Sequence, residues 1–164
     1  MAQSVSPDPQ ATRRRRLAGL LPLALLLLAG CGRGRGDVEG EVTYKGEPVD
    51  YGQITFASEV GRHEVKISYI VRGKYKIEAF PAGPAKISVV SYKPPTKEQL
   101  EKTTKDPNLG TEAQIPPELK KAVTEGKPLK HVKIPSRYAD AEKSELTYTV
   151  EKGDQTKNFD LKEK

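Results

Sequence analysis

The constraint that most limits this chain is a period of two in its apolar residues, which starts at Asp37 and recurs almost to the end. Val38, Gly40, Val42 and Tyr44 alternate with Glu39, Glu41 and Thr43. That spacing turns one face of an extended strand inward and leaves the other in water, whereas a helix would scatter the same residues around its surface. Lys45-Gly46-Glu47-Pro48 then turns the chain, and Gln53, Ile54, Thr55 and Phe56 form a second run. Val65, Ile67 and Tyr69 alternate with Glu64, Lys66 and Ser68, and beyond Arg72-Gly73 so do Tyr75, Ile77 and Ala79 with Lys74, Lys76 and Glu78. Two such runs around a short glycine turn predict a hairpin. Pro81-Ala82-Gly83-Pro84 is the next turn, before a strand through Ile87, Val89 and Val90. Leu146, Tyr148 and Val150, a turn at Lys152-Gly153-Asp154, and a run from Asn158 to Leu161 close the pattern.

Strands with one apolar face need a second layer to cover it. The expectation is therefore an all-β fold, a small antiparallel β-sandwich of about seven strands across residues 37–161. Alternation stops between Lys93 and Lys133, so residues 94–130 read as a polar loop insertion. Thr96-Lys97-Glu98-Gln99 matches a capping box, with Leu100 as its apolar anchor. Pro116-Pro117 suits the first turn of a second short helix running to about Thr124. Connections of this length in compact domains are either functional or disordered.

Ahead of the domain stand four arginines, Arg13 to Arg16, and an uncharged run from Leu17 to Ala29 made almost wholly of leucine and alanine. A charged start and a short apolar stretch define an export signal. The run is too short to span comfortably, since a bilayer needs about 20 apolar residues. The quartet Leu28-Ala29-Gly30-Cys31 resembles the lipobox of bacterial lipoproteins. The resemblance implies removal of residues 1–30, a thioether-linked diacylglycerol on Cys31, and a third acyl chain on the new amino terminus. Two or more acyl chains hold a protein stably at a membrane. Arg13 to Leu17 also approaches the twin-arginine pattern, but the expected aromatic is missing and general secretion is the default route. Gly32 stands where an aspartate would resemble an inner-membrane retention signal, which points to the outer membrane. Residues 31–36 are rich in glycine and read as a flexible tether.

Processing changes how the charge is read. Removing Arg13 to Arg16 and Asp8 from 28 basic and 22 acidic residues leaves 24 and 21, an ordinary soluble surface. The lysines are scattered among glutamates and there is no tryptophan, so nucleic acid is excluded as a partner. Cys31 is the only cysteine. No internal disulfide is possible, and the apolar core must hold the domain together.

The stretch from Val38 to Val49, the pair Gly73-Lys74-Tyr75-Lys76-Ile77 and Pro81 to Val89, and the C-terminal segments Ile134 to Asp140, Ser144 to Thr147 and Asn158 to Leu161 together resemble the carboxypeptidase-regulatory-like, or transthyretin-like, domains of small planctomycete-type lipoproteins. The resemblance covers most of residues 37–161, with the insertion as its poorly matched part. It implies a transthyretin-like (prealbumin-like) sandwich that acts as an accessory module without catalytic residues. Such folds host unrelated roles.

The residues themselves offer little chemistry. His63 and His131 are the only histidines, so three imidazoles from one chain cannot hold a metal. The Tyr-Arg-Gly-Ser ending of hydroxyisourate hydrolases, the His-x-His pair of intradiol dioxygenases and the Gly-x-Ser-x-Gly elbow of serine hydrolases are all missing. No catalytic residue, metal ligand or cofactor is assigned. Most aromatic residues fall inside the alternation and read as core, including Tyr44, Phe56, Tyr75, Phe80, Tyr148 and Phe159. Tyr51 and Tyr92 sit near turns and are candidate partner contacts, as is Tyr138, which also reads as a plug at the sandwich edge. The expected role is a non-catalytic binding or structural module of the cell envelope. Its partners would be the lipid bilayer, through Cys31, and an envelope protein or glycan. The competing expectation is an envelope hydrolase or oxygenase with a mixed histidine and carboxylate metal site around His63 or His131.

Overall fold

The computed structural model of the protein describes residues 34–105 and 115–163. The segment read above as an export signal, Cys31, the start of the expected tether and residues 106–114 of the insertion lie outside them.

Among the described residues nine strands follow in chain order: β1 (Arg35–Tyr44), β2 (Glu47–Pro48), β3 (Tyr51–Ser58), β4 (Val65–Val71), β5 (Lys74–Pro81), β6 (Gly83–Ser91), β7 (Leu146–Val150), β8 (Gly153–Thr156) and β9 (Phe159–Leu161). Helices α1 (Lys97–Lys105) and α2 (Pro117–Glu125) and a 3-10 turn (Ser136–Ala139) lie between β6 and β7. The strands form one curved sheet in the order β2-β1-β5-β4-β3-β6-β7, with β8 and β9 on the other edge of β1. The tight turns behave as their residues predict. Lys45-Gly46 and Arg72-Gly73 carry consecutive left-handed φ values of 54° and 80°, and of 53° and 82°, the conformation of two-residue hairpin loops.

The sheet folds over between β4 and β5, which meet only where Val71 pairs with Lys74. Beyond that pair, side chains replace the ladder. Lys66 donates to the Glu78 carbonyl at 2.8 Å, and the Lys76 N–H donates to Ser68 Oγ at 3.4 Å. The result is a sandwich-like half-barrel, with β4-β3-β6-β7 on one side and β5-β1-β8/β9 on the other. Phe56 of β3 crosses the interior to meet Phe80, Tyr75 and Phe159, its ring 5.6, 6.0 and 6.2 Å from theirs. Val38, Val42, Ile54, Ile70, Ile77, Ile87 and Leu161 fill the space around them and are buried. Each such side chain contributes about 1.5–3 kcal/mol relative to exposure.

Four local features differ from the sequence reading. The sheet is not wholly antiparallel, because β8 and β9 run parallel to β1, with Gly36 opposite Gly153 and Val42 opposite Phe159. The link between them passes over Gly40, where a β-carbon would lie 1.9 Å from the Lys157 carbonyl oxygen. Only glycine permits this approach, and Asn158 Oδ1 accepts the Glu41 N–H at 2.9 Å as the chain passes.

The register between β1 and β5 shifts between Gly36 and Val38, because Glu78 and Ala79 together oppose Asp37. Ala79 takes a φ of 48° and faces out, and Phe80 turns in. Asp37 Oδ1 accepts the Ala79 N–H at 2.8 Å, while Arg35 donates to the Ala79 carbonyl and clasps Glu64 through two hydrogen bonds of 3.0 Å. Such a bulge shifts every later side chain to the other face.

Arg35 and Gly36, read above as tether, are already strand, paired with Pro81 and Phe80. Finally, Val65, Ile67 and Tyr69 turn outward. Ile70 sits opposite Gly52 on the buried face, and strand parity then forces its odd-numbered neighbours the other way.

The insertion is tied down where it is described. The capping box closes reciprocally: the Thr96 N–H donates to Gln99 Oε1 at 2.9 Å, and the Gln99 N–H donates to Thr96 Oγ1 at 3.2 Å. Leu100, Leu119 and Ala122 are buried apart from the main core. The Arg72 guanidinium donates to the Lys127 carbonyl at 2.9 Å, and the Lys130 N–H donates to Asp50 Oδ2 at 2.7 Å.

Candidate functional site

The outward parity of β4 builds the most distinctive surface of the domain. Tyr51 lies opposite Val71, Gln53 opposite Tyr69, Thr55 opposite Ile67 and Ala57 opposite Val65, all on the outer face. On the other side of β3, Gln53 pairs with Val90, and the Tyr92 N–H donates to the Tyr51 carbonyl at 3.0 Å. These registers gather three tyrosines that are far apart in sequence. The Tyr51 ring stands 6.4 Å from Tyr69 with planes 8° apart, and 6.2 Å from Tyr92 at 55°. The Tyr92 hydroxyl donates to Gln53 Oε1 at 3.1 Å. Burial, reinforced by the two neighbouring phenols, pushes the Tyr51 hydroxyl above the ordinary tyrosine range.

Two aliphatic side chains extend the cluster along β4. Val65 is 55% exposed and Ile67 60%, and with Tyr92 at 39% they are the large hydrophobic residues exposed among the described residues. Sequence reasoning singled out Tyr51 and Tyr92, which the structure brings together. It missed Tyr69, Val65 and Ile67. The available signal was Tyr69-Ile70-Val71, where apolar residues occupy both parities and the alternation no longer says which face is inner.

Tyr138 is not part of this surface. It is 5% exposed and packs against the main core, where its hydroxyl donates to the Lys162 carbonyl at 3.0 Å and accepts the Lys162 N–H at 2.9 Å. The Arg137 guanidinium lies 4.8 Å from the ring centre. The residue closes the sandwich edge onto the C-terminal segment.

The two histidines lie at opposite ends of the strands. His63 is exposed in the loop between β3 and β4, beside the Glu64 that pairs with Arg35 at the start of β1. His131 is exposed at the other end, in a cleft of about 410 Å³ with Tyr44, Lys45, Glu47, Lys130 and Lys133. Among the described residues no three His, Cys, Asp or Glu side chains are grouped to hold a metal ion. Among the described residues no helix is long and apolar enough to cross a membrane. Cys31 lies outside the described residues. No protein-family model, curated protein or solved structure matches this chain.

Proposed function

We propose that this protein is an envelope lipoprotein, anchored through Cys31, whose transthyretin-like domain is a non-catalytic binding module that docks an envelope protein on the outer face of β4, β3 and β6. The observation that carries the reading is the joined row of Val65, Ile67 and Tyr69 with Tyr51 and Tyr92, because exposed apolar residues that are contiguous rather than scattered mark interaction surfaces. Tyrosine and aliphatic side chains on a rigid strand lose little freedom on binding and favour the centre of protein interfaces. A glycan fits less well. Sugar recognition needs polar groups between the rings, and the Gln53 carbonyl already accepts from Tyr92.

Two measurements test this. The intact mass of the processed protein should equal residues 31–164 plus diacylglycerol and an acyl chain, and a mass without lipid refutes the anchor. A photo-crosslinking residue at Ile67, introduced in native envelopes, should give a discrete adduct that is lost in Tyr69→Ala and Tyr92→Ala. The same probe at Lys74 should give none. Equal labelling from both positions refutes the docking face.

A further inference from the structure

The pairing registers sort the loops of the domain to two ends. At one end lie the start of β1, the loop 59–64, the turn at Ala82 and the corner between β7 and β8. Arg35 pairs with Pro81, Gly36 with Gly153, Gly83 with Val150 and Ser58 with Ala85. The Ala82 N–H donates to the Gly34 carbonyl at 2.8 Å, and a β-carbon on Gly34 would collide with the Lys152 side chain. At the other end lie Lys45-Gly46, Arg72-Gly73, the roots of the helical insertion and the His131 cleft.

Three Cα steps separate Cys31 from Gly34, a reach of at most about 11 Å. The ten residues of β1 then carry the chain about 33 Å further. An anchor at Cys31 therefore keeps the Gly34 end near the headgroup layer, and the Lys45 end stands away from it when β1 is upright.

The charges at the Gly34 end suit that position. Glu64 is clasped by Arg35 with Lys66 4.0 Å away, and Glu59 and Glu142 share Lys86 at 3.5 and 2.6 Å. Arg62 and Lys152 are exposed and form no ion pair among the described residues, and Glu151 is the exposed carboxylate next to Lys152 in sequence. By contrast, the flank made by β1 and β8 carries Asp37, Glu39 and Asp154, and its Lys76 is held 2.7 Å from Glu78. That flank is repelled by an anionic surface, so the domain does not lie down on it.

We propose that the Gly34 end, through Arg62 and Lys152, rests on anionic phospholipid headgroups and directs the helical insertion and the His131 cleft away from the membrane. This rests on the anchor proposed at Cys31, and it leaves the tyrosine face upright and open to a protein partner in the same envelope.

The test uses the processed chain labelled with 15N. Its only cysteine, Cys31, is coupled chemically to a maleimide phospholipid in nanodiscs of equal phosphatidylcholine and phosphatidylglycerol, with a paramagnetic headgroup lipid added. Amide signals of residues 59–64 and 151–153 should be lost, while those of 45–47 and 130–133 persist. Arg62→Glu with Lys152→Glu, or nanodiscs of phosphatidylcholine alone, should narrow the difference to what the tether alone imposes. Uniform attenuation, loss centred on 65–69, or an orientation unchanged by the charge reversal each overturns the proposal. Because the lipid is attached chemically, a failure here is separate from a failure of native lipidation, which intact mass reports.

Discussion

Replacing Phe56 tests the joint between the two halves of the sheet. Its ring belongs to β3, and the three rings it meets belong to β5 and β9 across the interior, at 5.6, 6.0 and 6.2 Å. The side chain is fully buried. Phe56→Ala should cost about 3–5 kcal/mol, the usual cost of a core phenylalanine with its cavity. Phe56→Leu keeps most of the apolar volume and isolates the ring contacts. At about 0.5–1.5 kcal/mol for each aromatic pair, a loss near 2 kcal/mol is expected, partly offset by repacking. Against a total stability of about 5–15 kcal/mol, either change is visible in urea unfolding. With no tryptophan in the chain, tyrosine fluorescence and circular dichroism are the probes. The leucine variant should also lower the melting temperature by about 6–10 °C. A double-mutant cycle with Phe159→Leu should show coupling above about 0.5 kcal/mol. A cost below about 1 kcal/mol for Phe56→Ala, with an unchanged denaturant slope, would refute the claim that this cluster joins the layers.

Gly40→Ala should cost about 1–3 kcal/mol and deprotect the amides of β9, since the added methyl meets the Lys157 carbonyl; hydrogen exchange measures both. Tyr75 donates to that carbonyl at 2.7 Å, and burial, then Tyr148, pushes its phenol well above the ordinary tyrosine range. Its share of stability is present below the ordinary tyrosine pKa and is lost as pH rises above it, so Tyr75→Phe should cost about 1 kcal/mol at neutral pH and flatten the alkaline limb of urea stability. The hydrogen bonds from Arg35 hold the Glu64 carboxyl below the usual carboxylate range, so the pair acts above that range and is lost as pH falls. In a carboxyl NMR titration, Arg35→Gln should raise the Glu64 midpoint; an unmoved midpoint means that the pair does not persist in solution. Thr96→Ala should speed amide exchange in the first turn of α1 by about two- to tenfold without changing global stability, as loss of a local cap predicts.

What the sequence by itself determined is local. Alternation located β1, β3, β5, β6 and β7, and Arg72-Gly73 specified a tight turn, though the hairpin expected there pairs only at Val71 and Lys74. The Thr96 and Gln99 pair and Pro117 set where the two helices begin, since a cap acts within one turn. Tyr51 and Tyr92 were legible as surface candidates from their places near turns. What only the tertiary structure decided depends on partners distant in sequence. The face that β4 buries follows from Ile70 meeting Gly52, and with it the exposure of Val65, Ile67 and Tyr69. The inward turn of Phe80 depends on the extra residue opposite Asp37. The parallel seating of β8 and β9 depends on Gly40 leaving room for Lys157. Period and turn chemistry are encoded within a few residues, but a slip of one residue in register inverts every side chain of a strand, and register is settled by the neighbouring strand.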